Sequence, residues 1–125
     1  MVKSLISTLI ITLLFTFGAI SENIYVTKTF SDFSEKTQIV IEKCINDTTQ
    51  PDDLIALQKA WHKNKKSLHI IIPHTEIKEI DLWLSEAVIL SEQDNTKEVI
   101  QKLKVIYDLS TQIPKSFKLS FENIF

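Results

Sequence analysis

No charged residue occurs between Lys3 and Glu22, and Leu5 to Ile20 reads LISTLIITLLFTFGAI, apolar on every side of a helix with only Ser and Thr as relief. Such a segment belongs in a bilayer, at least transiently. The uncharged residues Ser4 to Ser21, at about 1.5 Å each, span roughly 27 Å as a helix, a little less than the ~30 Å hydrocarbon core. Ile24, Tyr25 and Val26 extend the apolar surface beyond it. Residues 1–21 are therefore read as a membrane anchor. One Lys ahead of the run and the small residues of Ala19-Ile20-Ser21 also suit a signal peptide cleaved near Ser21, which would release a secreted protein. Length favours the anchor, because the run exceeds the usual apolar region of a signal peptide. Lys3 on the short side and the lack of a second apolar run predict a single-pass protein in the cell membrane. Its N-terminus would be cytoplasmic and residues 22–125 outside.

Residues 22–125 have the composition of an ordinary soluble surface, 13 Lys against 16 acids. Basic excess is absent and Arg does not occur at all, so the planar fork that grips phosphate and guanine is missing, and nucleic acid is excluded as a partner. One Gly and three Pro leave little material for hairpins or Gly-rich phosphate loops. The predicted architecture is all-α. The membrane helix continues into a small antiparallel bundle of about four helices, with residues 22–125 as one extracytoplasmic domain.

Apolar spacing places the four segments. Val26, Phe30, Phe33, Thr37, Val40 and Cys44 alternate steps of four and three, the seam of a helix packed on another helix, and neither Gly nor Pro interrupts Ala19 to Gln50. A second helix starts near Pro51, with Asp52 and Asp53 in its first turn, Leu54, Leu57 and Trp61 as its stripe, and Lys63, Lys65 and Lys66 near its end. The β-branched run before Pro73 is ambiguous by period, but no other segment offers a strand to pair with it, so it reads as a helix or a helix junction. Pro73 either kinks a helix or starts one. Ile77, Ile80, Leu84, Ala87 and Val88 carry a third helix to about Gln93, and Val99, Leu103, Ile106, Ser110 and Ile113 a fourth from about Thr96. Pro114 is expected to end it, and the apolar tail Phe117, Leu119, Phe121, Ile124 and Phe125 to dock on the bundle.

Signals for chemistry are sparse. His62, His69 and His74 lack the i, i+4 spacing of a helical metal pair, and the chain's single Cys excludes a disulfide within it as well as a Cys-rich zinc site. His74 with Glu76, Glu79 and Asp81 gathers an imidazole and carboxylates that could move a proton, though the same carboxylates suit the polar face of an amphipathic helix. Cys44 occupies a seam position and reads as core, and the protomer is expected to be monomeric. Trp61 and Trp83 read as core or core edge rather than as stacking platforms.

The stretches Trp61-x-x-Asn64-Lys65-Lys66, His74-x-Glu76-Ile77-x-x-Ile80-Asp81, Ile113-Pro114 and the closing Leu119-Ser120-Phe121-Glu122-Asn123-Ile124-Phe125, behind a hydrophobic helix, resemble the domain of unknown function 4363 family, small membrane-anchored proteins of Firmicutes. Pro73, immediately before His74, departs from that pattern. The resemblance implies a retained anchor, a helical domain outside the membrane, and a membrane partner such as a YetF-type protein. It supplies neither catalytic residues nor cofactors. Two function classes remain. The first is a non-catalytic interaction or accessory module for a membrane or envelope protein, with Phe30, Phe33, Val40, Cys44, Trp61, His74 and Trp83 as its interaction or structural residues. The second is a small envelope enzyme or a ligand- or metal-binding protein using the His69 to Asp81 region. Convergent polar groups in a cleft would favour the second.

Overall fold

The first helix does not stop where the apolar run stops. In the computed structural model, which describes residues 1–124 less the side chains of Ser120, Phe121 and Ile124, α1 runs unbroken over Val2–Ile45. At about 1.5 Å per residue this is a rod of roughly 65 Å. It is followed by α2 (Pro51–Leu68), α3 (His74–Glu92) and α4 (Thr96–Ile124). Short connections fold the four back on one another. α1 packs on α2 and α4, and α3 packs on the same two, which closes an antiparallel four-helix bundle around the second half of α1.

The seam read from the sequence forms the α1 wall of that bundle, since Val26, Phe30, Phe33, Thr37, Val40 and Cys44 are all buried. Facing them are Leu54, Leu57, Trp61 and Leu68 of α2, Ile77, Ile80, Leu84 and Ala87 of α3, and Val99, Leu103, Ile106 and Ile113 of α4. The first half of α1 contributes nothing to this core. No residue of its most apolar stretch is buried, and the helix is long and apolar enough to cross a membrane.

The ambiguous stretch before Pro73 is a junction. After Leu68 the chain makes one tight turn, in which the Ile72 amide donates to the Leu68 carbonyl at 2.8 Å, Leu68 and Ile72 point into the core, and Ile70 points out. Pro73 then takes an extended ψ of 137° and α3 begins at His74, so this proline starts a helix rather than kinking one.

The expectation for Pro114 is corrected. α4 passes through it and continues to Ile124. A proline inside a helix forfeits a backbone hydrogen bond and costs about 3 kcal/mol, so something beyond local propensity holds the last turns. That is packing: Phe117 is half-buried beside Ile71, Ile72 and Pro73, and Lys118 lies alongside Asn23, Ile24 and Thr27 of α1. Docking of the tail is also corrected in part, because Leu119 is 60% exposed. The Phe121 and Ile124 side chains and Phe125 lie outside the described residues.

With glycine so scarce, helix ends fall to other residues. α1 and α3 both terminate in a Schellman arrangement: Asp47 and Asp94 adopt φ of 58° and 56°, and the amides around them close back on the Cys44, Lys43, Ser91 and Leu90 carbonyls at 2.9 to 3.2 Å. Aspartate tolerates this left-handed conformation better than most residues, but glycine occupies it without a Cβ penalty. Asp94→Gly should therefore raise stability by about 0.5 to 1 kcal/mol, read by urea denaturation of the detergent-solubilised chain.

Candidate functional site

Trp61 is the centre of the molecule. It sits fully buried on α2 between Phe30 and Phe33 of α1, with ring centroids 6.1 and 5.1 Å away and the planes tilted by 47° and 42°. These separations fall within the range where aromatic rings attract one another beyond simple burial. An indole N–H in such a place needs an acceptor. It donates to Asp81 Oδ1 of α3 at 2.6 Å, while Lys65, one turn further along α2, donates to Asp81 Oδ2 at 2.9 Å. One carboxylate thus joins α2 to α3 through both oxygens.

This geometry divides the His69 to Asp81 region. Asp81 is engaged by Trp61 and Lys65, whereas His74, exposed at the start of α3, stacks on His69 at 5.2 Å with the rings inclined by 24°. His74 and Asp81 therefore serve different neighbours. Among the described residues no three His, Cys, Asp or Glu side chains come together as a metal site would require.

The other candidates fall into two groups. Phe30, Phe33, Val40, Cys44 and Trp61 are core, with Cys44 a free buried thiol on the inner face of its own bundle. Trp83 is half-buried at the edge, with Lys102 Nζ 4.7 Å from its ring centroid; the same ammonium pairs with Glu86 at 3.2 Å, so it fastens α4 to α3. Sequence reasoning counted Asp81 among the carboxylates near His74 and Lys65 among the dipole-compensating lysines, and so missed their pairing. One usable signal was present: Trp61 and Lys65 share a helix face at i, i+4, and Asp81 follows the core position Ile80.

Two open grooves flank α1. One, about 240 Å³, lies against α4 and is lined by hydroxyl residues of both helices with Pro114, Lys115 and Lys118. The other, about 290 Å³, lies against α2 between Lys36, Ile39, Ala56 and Ala60. At its far end Lys43 and Asp53 pair at 3.0 Å.

The family described as domain of unknown function (DUF4363) matches residues 20–124. The chain belongs to this family. The match covers the whole bundle of this DUF4363 protein and leaves the first nineteen residues outside it, so the spanning capacity of α1 rests on the hydropathy of the run itself. No curated protein and no solved structure matches this chain.

Two carboxyl groups of the DUF4363 bundle are displaced in opposite directions. Asp53 is held below its ordinary value of 3.8 by the Gln50 backbone amide, 2.9 Å from its Oδ2, and then by Lys43. Its contribution is present above the unfolded value and is lost as pH falls through the lowered one. Glu76 is raised above 4.5 by burial, with Glu79 adding to the effect. A raised carboxyl stabilises the fold below its unfolded value, and that stability is lost as pH rises through the folded one. Glu76→Gln should therefore raise the melting temperature at neutral pH, and the gain should vanish below about pH 4, where both side chains are neutral, as followed by circular dichroism.

Removing the central acceptor should cost more. Asp81→Ala leaves a buried indole N–H unpaired and should destabilise the bundle by about 1.5 to 3 kcal/mol, whereas Lys65→Met, which removes only a partly exposed ion-pair partner, should cost about 1 kcal/mol or less; urea denaturation separates the two.

Proposed function

We propose that the protein is a membrane-anchored accessory module whose helical bundle, held outside the cytoplasmic membrane, binds and stabilises or regulates a membrane or envelope protein without catalysing a reaction. The observation that carries this reading is the two-part character of α1. Its first half carries an apolar run with no buried residue, in a helix long and apolar enough to cross a membrane, and its second half is a wall of the bundle core. A bundle built on the same helix as its anchor is held at a fixed height and rotation relative to the membrane, as an accessory domain for a membrane neighbour requires.

The bland surface of the His69 to Asp81 region supports the module over an envelope enzyme. His74 is exposed and stacked on His69, and Asp81 is consumed in holding α2 to α3. The orientation is argued from Lys3 on the short side of the span, and the protomer is taken as a monomer because Cys44 and its seam face their own bundle. The partner class is an integral membrane protein, such as one of the YetF type.

Alkaline carbonate should leave the protein in the membrane pellet with its first residues intact, and protease added to spheroplasts should digest the bundle. A mature form beginning near Glu22 in the supernatant would replace the anchor with a signal peptide, and a protease-resistant bundle in sealed spheroplasts would reverse the topology.

A further inference from the structure

The antiparallel register brings three parts of the chain to one end of the bundle. Lys118 of α4 lies alongside Asn23 and Ile24 of α1, and Phe117 beside it packs against Ile71, Ile72 and Pro73 of the α2–α3 junction. The junction and the last turns of α4 therefore stand level with the first residues of α1 beyond the apolar run. Ile24 is three residues past Ser21, a rise of roughly 5 Å.

This end exposes several large apolar side chains among its charged and polar ones. Ile70, at the tip of the junction, is 87% exposed, Ile24 63% and Leu119 60%, and Tyr25, next to Ile24 in the chain, is exposed as well. With Leu68 and Ile72 facing the core four residues apart, the turn carries Ile70 to the outside, and the fold itself does not require an apolar side chain there.

We infer that this stem-side end is a second membrane contact, in which Ile70, Leu119, Ile24 and Tyr25 enter the interfacial layer of the bilayer that α1 crosses. The inference rests on the anchored reading of α1 and deepens it. The interfacial layer is about 5 to 7 Å thick on each side of the hydrocarbon, so a tip roughly 5 Å beyond the span falls inside it. Length mismatch acts in the same direction: a run of roughly 27 Å in a core of ~30 Å draws its flanking residues toward the bilayer. Tyr at this height suits the interface, where its ring is buried and its hydroxyl stays wet. Glu22, Glu76, Lys115, Lys118 and Glu122 give this end both signs of charge, so the contact is driven by apolar burial and takes a zwitterionic phosphatidylcholine surface.

The test places an environment-sensitive fluorophore on the full chain, with Cys44→Ala as background, at Ile70→Cys or Leu119→Cys, and at Ile89→Cys as the control. Ile89 is exposed too but stands about 22 Å up α3 from His74, at the far end of the bundle. Circular dichroism of each variant confirms the fold before reconstitution into phosphatidylcholine vesicles, and carbonate extraction of the same vesicles reports the anchor. The expected result is a blue-shifted label at positions 70 and 119 that loses about half its intensity to phosphatidylcholine spin-labelled near the headgroup, with no loss at position 89. Protein retained in the pellet with position 70 as wet as position 89 would overturn the interfacial contact and leave the anchor standing. Protein released by carbonate would overturn both. Shielding at position 70 that ignores the lipid quencher and grows with the protein-to-lipid ratio would assign this end to a second copy, which also overturns the proposal.

Discussion

The structure depends on α1 remaining one helix across two different surfaces, an exposed apolar run and a wall of the bundle core. In a bilayer every backbone amide and carbonyl must be satisfied within its own segment, which a helix alone achieves for a single chain crossing. In the bundle the same hydrogen bonding leaves only the side chains to decide what the helix packs against. The absence of any breaker from Ala19 to Gln50 lets one rod of 44 residues join an apolar run to a wall of the bundle. Hydroxyl side chains are managed the same way in both halves. Thr8, Thr12 and Thr16 donate to carbonyls four residues back in the exposed run, and Thr37 does so from a fully buried position. Each is thereby satisfied without a partner from another element.

Around that rod the bundle is closed by one aromatic centre and a few polar ties. Trp61 fills the space beside Phe30 and Phe33, and burying it obliges α3 to provide an acceptor. Asp81 does so, and Lys65 balances its charge at the same carboxylate. This satisfied arrangement specifies the α2–α3 register more tightly than apolar packing could, because a slip of one turn would strand an indole N–H in the core. Lys43 with Asp53 ties α1 to α2, and Lys102 with Glu86 and Trp83 ties α3 to α4. These outer ties are partly exposed and contribute little individually, so they set alignment more than stability.

The stripes were legible because each helix buries one face, and a period of three and four residues is the direct imprint of that burial. Every seam position from Val26 to Cys44 is in the core for this reason. The features that stayed hidden in the sequence were chosen by neighbours distant in the chain. Pro114 carries a strong local stop signal, which the contacts of Phe117 and Lys118 with the junction and α1 override. Ile70 belongs to an apolar run that periodicity cannot orient, and only the turn after Leu68 shows which of its isoleucines point away from the core. Asp81 was visible as an acid on a polar face, but its acceptor role exists only because Trp61 arrives from another helix.

The level of Pro114 also marks where the α1–α4 boundary differs from the rest of the core. Large apolar side chains face one another from Cys44 down to Val26, while beside them, at the level of Phe30 and Phe33, the α1–α4 boundary is lined by Thr27, Ser31, Ser34, Ser110 and Thr111. Ser34 and Ser110 turn their hydroxyls back on their own helix, to the Ser31 and Ile106 carbonyls at 2.8 and 2.7 Å, so this layer needs no cross-helix hydrogen bond. Small side chains facing one another beside a proline leave space, seen as the groove of about 240 Å³. Filling that space with large residues would tighten the bundle at the level where α4 already sacrifices a backbone hydrogen bond. The two sides of α1 at this level therefore differ in kind. On one, Trp61 of α2 fills the space beside Phe30 and Phe33; on the other, α1 and α4 meet through hydroxyl side chains satisfied on their own helices, and the groove stays open.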